Sequence, residues 1–153
     1  MLGNVEARTF PKGVYIVTTQ WEDHRAGMTA AWVTRVSAAP AMIAMALHRG
    51  SATREMIGRS GWFVVHALPE SGLELARSFG RGTSTERDKF AGLAPVASAH
   101  GQPILVQATS FLECQVVRRE DVGDHELIVG LVVDEKELRV GEPLRYREDW
   151  FDQ

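Results

Sequence analysis

The stretch GDHELIVGLVV, residues 123–133, joins a turn to an apolar run and decides most of what the sequence says about the fold. Gly123 permits the backbone conformation of a tight turn. The apolar run is typical of a β-strand, and a second apolar stretch over residues 104–117 predicts a partner strand that pairs with it through residues 118–124. Asp124 can orient the imidazole of His125, whose ordinary pKa lies near neutrality. The same pair is also common in plain surface turns, so both interpretations are open on this stretch alone.

Composition places the chain among ordinary soluble globular proteins, with 44% hydrophobic and 24% charged residues in 153. This length predicts a single domain, residues 1–153, with a sizeable core. A net charge of −3 gives no general attraction to nucleic acid or to an anionic membrane. We find no secretory leader, and no run approaches the ~18 apolar residues needed to span a bilayer. The expectation is a cytoplasmic protein with no nucleic-acid or membrane partner.

Short apolar segments separated by turns predict a chain made mostly of strands. Strands are predicted over residues 14–19, 27–37, 41–47 and 62–68, and short helices over residues 51–60 and 69–79. A polar, glycine-rich connection covers residues 80–103, and connections of that length are often functional. Many strands with few long crossovers favour an antiparallel β-barrel with two or three short helices. A Rossmann domain is disfavoured because no G-x-G-x-x-G motif follows a strand.

The cysteine and histidine content argues against a disulfide or a metal site. Cys114 is the one cysteine, and its apolar neighbours predict a buried, inert thiol. His66 lies in an apolar strand and predicts a buried histidine with satisfied hydrogen bonds, whereas His24 at a hairpin tip predicts a solvated one. No histidine pair has the spacing of metal ligands, so we expect no bound metal. A serine nucleophile is also unsupported, since no G-x-S-x-G motif is present.

Two segments in the first half of the chain could bind a ligand. The helix that begins at Ser51 offers unpaired N–H groups, to which Thr53, Arg49 and Arg54 add hydroxyl and charge, so it is a candidate phosphate site. An ordinary serine N-cap with solvated arginines explains the same residues. The small side chains of residues 28–32 could let a flat ligand lie against the backbone, or could simply fill the barrel interior.

The long polar connection is a third candidate. Its basic residues Arg81, Arg87 and Lys89 could reach an anion, and the rings of Phe79 and Phe90 could pack on a flat ligand. A solvated charged loop is the alternative interpretation of this segment.

In their order and spacing, these pieces resemble the flavin reductase-like family of FMN-binding split barrels. The matching stretches extend from about Phe10 to Trp150 and are PKGVYIVTT, GMTAAWVTRVSAAPAMIAMALHRGSATREMI, FGRGTSTERDKFAGL, and GDHELIVGLV followed by EPLRYRE. Flavoredoxins and the flavin domain of high-molecular-weight rubredoxins are similar members. The chain departs from the family pattern at Trp32, where relatives often carry a small or polar residue. It departs again at residues 48–50, His-Arg-Gly, where many carry Asn-Arg-Ser.

The resemblance implies a homodimer with one FMN, or FAD, per subunit and NAD(P)H as the hydride donor. It implies that residues 28–32 line the isoalloxazine, that residues 47–53 hold the ribityl chain and phosphate, and that residues 79–90 close over the cofactor. His125 is implied near the nicotinamide, with Asp124 setting its orientation. The cofactor-binding residues implied are Met28, Thr29, Ala30, Ala31, Trp32, Ser37, Leu47, His48, Arg49, Ser51, Thr53, Phe79, Gly80, Lys89 and Phe90.

The function implied is an NAD(P)H-dependent flavin oxidoreductase that passes electrons to free flavin or to a protein acceptor. A separate rubredoxin or a flavin-dependent monooxygenase is a candidate partner, since the four-cysteine rubredoxin module is absent from this sequence. The alternative is a non-catalytic flavin-binding module for storage or sensing. Residues 41–47, Trp32 and Trp150 are the expected contacts of the homodimer.

Overall fold

The computed structural model describes residues 9–147, in which a seven-stranded antiparallel sheet carries two short helices. The helices are α1 (Ala52–Ser60) and α2 (Leu73–Gly80). The sheet order is β2-β1-β5-β8-β9-β4-β3, and β6 and β7 pair separately. The strands are β1 (Tyr15–Trp21), β2 (His24–Ala30), β3 (Val33–Ala38), β4 (Ala41–His48), β5 (Trp62–Ala67), β6 (Val96–Ala97), β7 (Pro103–Ile104), β8 (Ser110–Val122) and β9 (His125–Glu137).

The sheet curls into a split barrel because its two edge strands are neighbours in sequence. β2 and β3 lie at opposite edges, yet Ala31 and Trp32 alone separate them. Laid flat, the seven strands would hold these edges about 29 Å apart, whereas the three Cα–Cα steps from β2 to β3 span at most about 11 Å. The sheet therefore curves until the two edges lie close to each other at this connection, and β2 and β3 do not pair. The predicted split barrel is confirmed, and the single strand predicted over residues 27–37 is wrong because the chain crosses the split at this point.

The hairpin of β8 and β9 is the longest feature, with thirteen residues in each strand. Its turn is Gly123-Asp124, and Val122 pairs directly with His125. Gly123 has a φ of +57° at the position where type II′ hairpins take glycine. The longer connection predicted over residues 118–124 is wrong, because a two-residue turn suffices and most of those residues continue β8.

The strand predicted from Ile104 also begins later than expected. Ile104 pairs with Val96 in the small separate sheet, and β8 starts at Ser110. Between them the chain turns, since the Ala108 N–H donates to the Leu105 carbonyl at 3.2 Å. An apolar composition alone did not reveal this break.

The boundaries of α1 follow its capping residues. Ser51 caps α1, with its side chain accepting the Arg54 N–H, and Gly61 ends it with a φ of +76°. The helix predicted over residues 69–79 opens instead as a 3₁₀ turn, and α2 includes Gly80. Among the described residues no helix is long and apolar enough to cross a membrane.

Two apolar clusters lie on opposite faces of the sheet, as the alternation of side chains along strands requires. One fills the barrel and is formed by Val17, Ala30, Ile43, Met45, Leu47, Ile57, Phe63, Val65, Cys114 and Ile128. The other lies under α2 and is formed by Val14, Ile16, Leu68, Ala76, Phe79, Phe90, Leu105, Ala108 and Leu144. Since Ile57 belongs to the first cluster, α1 packs against the barrel core.

Two buried polar side chains match their predictions. His66 donates from Nδ1 to the Ile16 carbonyl at 3.0 Å and accepts the Leu105 N–H at Nε2, also at 3.0 Å. Burial lowers the pKa of His66 to about 4, so the ring is neutral at pH 7. Burial, with the nearby Glu113 charge, raises the pKa of Cys114 to about 12, and its thiol is inert. His24 is exposed, as expected.

Gly130 on β9 is required by packing inside the barrel. A Cβ atom at this position would lie 2.5 Å from Phe63 Cζ and 2.8 Å from Cys114 Cβ. Both neighbours are fully buried, so neither can move aside freely. The missing side chain on β9 thus makes room for the Phe63 ring on β5.

Gly130→Ala should therefore lower the free energy of unfolding by about 1–3 kcal/mol through overpacking. Chemical denaturation measures the change. Gly141→Ala is the matched control, since its Cβ would meet neighbours at 3.7 Å, an ordinary contact, and should stay within about 0.5 kcal/mol of the parent. In a Phe63→Leu background the Gly130→Ala penalty should shrink. An equal penalty in both backgrounds would contradict the steric explanation.

Candidate functional site

A cleft of about 150 Å³ opens beside the N-terminus of α1. Its walls come from the end of β2, the first turn of α1 and the connection after α2, which are three segments that the sequence suggested separately. We call it the α1 cleft, and it is lined by Met28, Thr29, Ser51, Ala52, Thr53, Phe79, Gly80, Gly82, Thr83, Ser84 and Lys89.

The helix terminus gives the α1 cleft hydrogen-bond donors. The N–H groups of Ala52 and Thr53 belong to the first helical turn, which has no intrahelical acceptor, and the helix dipole adds positive potential there. The Ser51 hydroxyl donates to Met28 Sδ at 3.2 Å. Because a thioether is a weak acceptor, this proton can turn to a phosphate oxygen with little loss. This end of the cleft is suited to an anion.

Lys89 brings a positive charge to the opposite wall. Its side chain is buried and its ammonium donates to the carbonyls of Gly27 at 3.0 Å and Phe79 at 2.8 Å. These two carbonyls take two of the three ammonium protons. Burial, with a contribution from the charge of Arg87, lowers the pKa of Lys89 to about 8. The lysine therefore both ties its loop to β2 and α2 and stays mostly cationic at pH 7.

A second group of side chains surrounds the β8–β9 turn; we call it the His125 cluster, formed by Trp32, His48, Arg49, Asp124 and His125. His125 Nδ1 donates to Asp124 Oδ1 at 2.6 Å, since a carboxylate can only accept. This hydrogen bond lowers the pKa of Asp124. It also fixes the imidazole so that Nε2 is the atom available to a ligand. The Trp32 ring lies 4.5 Å from the His125 ring and the His48 ring lies 5.6 Å from it, edge-on.

One short turn joins the His125 cluster to the α1 cleft. His48, the last residue of β4, pairs with His125. The Arg49 N–H donates to the Asp124 carbonyl at 3.1 Å, and the Ser51 N–H donates to the His48 carbonyl at 3.0 Å. The main chain thus holds the Ser51 cap and the Asp124 turn in a fixed relation.

Sequence reasoning missed a buried charge network beneath this turn. Glu126 is nearly buried and accepts from Arg119 Nε at 2.6 Å, Arg119 Nη2 at 3.0 Å and Arg54 Nη1 at 3.1 Å. Burial by itself would raise the pKa of Glu126, but the two arginines lower it below its ordinary value. The position of Glu126 could have indicated its burial, because it lies on the same inward face of β9 as Ile128.

Several of the residues implied by the resemblance lie with their side chains in the core. Ala30 and Leu47 belong to the barrel cluster, and the Phe90 ring packs edge-on against Phe79 at 5.3 Å in the other cluster. A ligand contact at Ala30 or Leu47 must therefore use the main chain. Ser37 lies farther along β3, opposite Met42.

The connection after α2 reaches the cleft through hydroxyls rather than arginines. Thr83 and Ser84 line it, and Ser84 Oγ also accepts the Gly27 N–H at 3.0 Å. Arg87 instead binds the Ser78 carbonyl, and Arg81 lies 4.0 Å from a carboxylate oxygen of Glu74. The hydroxyl-rich run after Gly82 was the signal for this wall. Within the described residues no group of His, Cys, Asp or Glu could hold a metal ion.

Residues 7–153 match the family model described as the flavin reductase like domain. A ferric-chelate reductase (NAD(P)H) of Archaeoglobus fulgidus is 34% identical over 138 residues, which are 89% of this chain and 82% of that protein. The chain spans smaller parts of two other relatives. It matches 61% of a high molecular weight rubredoxin of Moorella thermoacetica at 34% identity, covering 90% of this chain. It matches 22% of a diflavin flavoprotein of Synechocystis at 29% identity, covering 80% of this chain.

Among solved structures, the NADH:FAD oxidoreductase of Streptomyces globisporus superposes with a TM-score of 0.87 at 26% identity, covering 95% of this chain and 86% of that one. The resemblance seen in the sequence is confirmed by these matches. A family model that matches nearly the whole chain, together with relatives above 30% identity, shows that this chain belongs to the flavin reductase like domain family.

Proposed function

We propose that this chain is an NAD(P)H-dependent flavin reductase or electron-transfer flavoprotein that binds FMN in the α1 cleft. The observation that carries the proposal is the donor set of the cleft, which combines hydroxyls, free helix N–H groups and the Lys89 ammonium, and which suits a phosphate. The names of the relatives, a reductase acting with NAD(P)H and an NADH:FAD oxidoreductase, support the same class of reaction.

With the phosphate held by Ser51 and Thr53, the flavin ring would extend along residues 28–32 toward the His125 cluster. Among the described strands β2 pairs only with β1. Main-chain groups on its other side can therefore hydrogen-bond to the polar edge of a flat ring. A bound flavin would supply the redox chemistry by accepting a hydride at N5. The protein supplies binding and orientation.

His125 would orient the hydride donor rather than donate a proton. Its Nδ1 proton is held by Asp124, so Nε2 is the ring atom left to contact the carboxamide of a nicotinamide. The rings of Trp32 and His48 limit how far this imidazole can turn. Orientation of this kind acts on rate through the geometry of approach.

The onward acceptor is proposed to be free flavin or a separate protein such as a rubredoxin or a flavin-dependent monooxygenase. The rubredoxin named among the relatives supports an acceptor of that type. The homodimer and the cytoplasmic location stay predictions. Of the side chains expected at the dimer contact, Trp32 is exposed and Trp150 lies outside the described residues.

Ser51→Ala with Thr53→Ala should weaken FMN binding, because each lost hydrogen bond to a charged group contributes about 1.5–3 kcal/mol. Fluorescence titration of FMN measures the loss, about tenfold or more per bond. Riboflavin lacks the phosphate and is the matched control ligand, so its affinity should not change. An equal loss of affinity for both flavins would indicate damage to the α1 cap. An unchanged FMN affinity would show that the phosphate binds elsewhere.

FMN affinity should also fall as the pH rises through about 8, where Lys89 loses its proton. The phosphate stays a dianion across this range, since its second pKa is about 6, and the limiting loss is about tenfold per pH unit for one linked proton. Riboflavin affinity should be flat over the same range. Lys89→Met should bind FMN more weakly and without this pH dependence; a retained pH dependence would assign it to another group.

His125→Ala should keep its FMN but reduce it more slowly, since misplacement of the donor by ~1 Å can lower a rate a hundredfold. Anaerobic stopped-flow mixing with NADH records the loss of oxidised-flavin absorbance. Val122→Ala, on the exposed residue that pairs with His125, is the control and should react at the parent rate. A parent-like rate in His125→Ala would remove this residue from the mechanism. If the parent protein binds FMN and NADH does not reduce that FMN, the result would support the non-catalytic alternative.

A further inference from the structure

Two arginines converge on one buried carboxylate between the α1 cleft and the His125 cluster. Glu126 Oε2 accepts from Arg54 Nη1 at 3.1 Å and from Arg119 Nη2 at 3.0 Å, and Oε1 accepts from Arg119 Nε at 2.6 Å. The side chain of Glu126 is 7% exposed and that of Arg54 is 20% exposed. Solvent therefore screens the contact between them much less than it screens an ion pair on the surface.

Arg54 belongs to both of the sites that this carboxylate joins. Its main-chain N–H donates to Ser51 Oγ at 3.2 Å and so orients the hydroxyl that lines the α1 cleft. Its side chain does not line the cleft and instead reaches Glu126, the residue that directly follows His125 on β9. One residue thus connects the cap at the cleft to the strand that carries the imidazole.

The position of the Arg54 guanidinium also differs from the sequence expectation. The charge expected to face a phosphate faces a carboxylate. Arg54 Nε is buried and has no hydrogen-bond partner among the described residues. A buried donor without a partner is unfavourable, so the charge-assisted contact with Glu126 has to outweigh that loss.

The other side of the carboxylate is fixed independently by β8. Arg119 makes two parallel hydrogen bonds to Glu126, which is the strong geometry for such a pair. These two bonds do not depend on Arg54. The link between α1 and β9 can therefore be removed at Arg54 while the buried carboxylate keeps a charged partner.

We propose that Arg54 is a positioning residue for flavin reduction, which acts through Glu126 by holding the Ser51 cap in register with His125. The inference rests on the proposed function, since it takes the flavin phosphate at Ser51 and the nicotinamide at His125. A flavin anchored at one site and a hydride donor oriented at the other react only if the two sites keep their separation. The main chain of residues 48–51 makes one link between these sites, and the Arg54 side chain makes the second.

Hydrogen exchange on the flavin-free protein tests this link without the reaction. The N–H groups of Arg49 and Ser51 donate to carbonyls of the His125 cluster at 3.1 and 3.0 Å, and so report how firmly the connecting turn is held. In Arg54→Met both should exchange about tenfold faster, through local opening of the turn. The free energy of unfolding is measured by chemical denaturation on the same samples, so that a global loss of stability is separated from local opening.

Arg59→Met is the matched control for this experiment. It makes the same change on the same helix, at an arginine whose ion pair with Glu55 is more than half exposed on both sides. Because such pairs contribute little, its exchange should match that of the parent.

Anaerobic stopped-flow mixing with saturating NADH tests the effect on reduction. Arg54→Met should reduce bound FMN about tenfold more slowly, which is less than the roughly hundredfold that a displacement of ~1 Å can cause. In a His125→Ala background the same change should have little further effect, since Arg54 acts by way of His125. Arg54→Lys keeps the charge and a donor and should recover most of the rate. FMN affinity should stay near that of the parent, since Arg54 does not line the cleft.

Unchanged exchange at Arg49 and Ser51 in Arg54→Met would overturn the inference and leave the proposed function intact. Rate losses of Arg54→Met and His125→Ala that simply multiply in the double variant would also overturn it. If Arg54→Met weakens FMN and not riboflavin, the guanidinium binds the phosphate itself and the inference is wrong. A parent protein that binds FMN and is not reduced by NADH would contradict the proposed function and the inference together.

Discussion

The connection of two residues between β2 and β3 is the constraint on which the rest of the structure depends. It holds the two edges of a seven-stranded sheet close to each other and so sets the curvature of the sheet and the position of its split. Edge strands carry main-chain groups without a strand partner, and in most proteins these are protected. Here the α1 cleft opens beside β2, and Trp32 stands in the connection itself. At the split, a ligand can therefore contact main-chain groups that have no strand partner.

Charged side chains then hold α1 against the sheet near this split. Arg54 of α1 and Arg119 of β8 converge on Glu126, one residue beyond His125. Glu126 is the buried member of this network, so removing either arginine would leave its carboxylate with one charged partner instead of two. Gly58 on α1 belongs to the same arrangement, since a Cβ there would lie 2.5 Å from Arg119 Nη1. Gly58 weakens α1 locally, but its missing side chain leaves room for the Arg119 guanidinium beside the helix.

Local patterns in the sequence predicted the elements that local forces decide. Ser51 as the cap, Gly61 as the stop and Gly123 in the turn each follow from backbone chemistry within a few residues. The division of residues 27–37 did not follow, because both halves have strand character and the break arises from closure of the whole sheet. The requirement for Gly130 arises from Phe63, which is distant in sequence. The α1 cleft was suggested in pieces, but its assembly depended on Lys89 and Ser84 reaching Gly27 across the fold.

The two departures from the family pattern noted in the sequence form one unit in the structure. Trp32 and His48 are the two rings that contact the His125 ring. Gly50 belongs with them, since its N–H donates to His48 Nδ1 at 3.0 Å and a Cβ there would lie 3.2 Å from the same atom. A Cβ at position 50 would therefore lie in tight contact with the His48 ring, which would have to shift slightly to admit it. The indole of Trp32 packs beside the same imidazole, so Trp32, His48 and Gly50 form one group of contacts around His125.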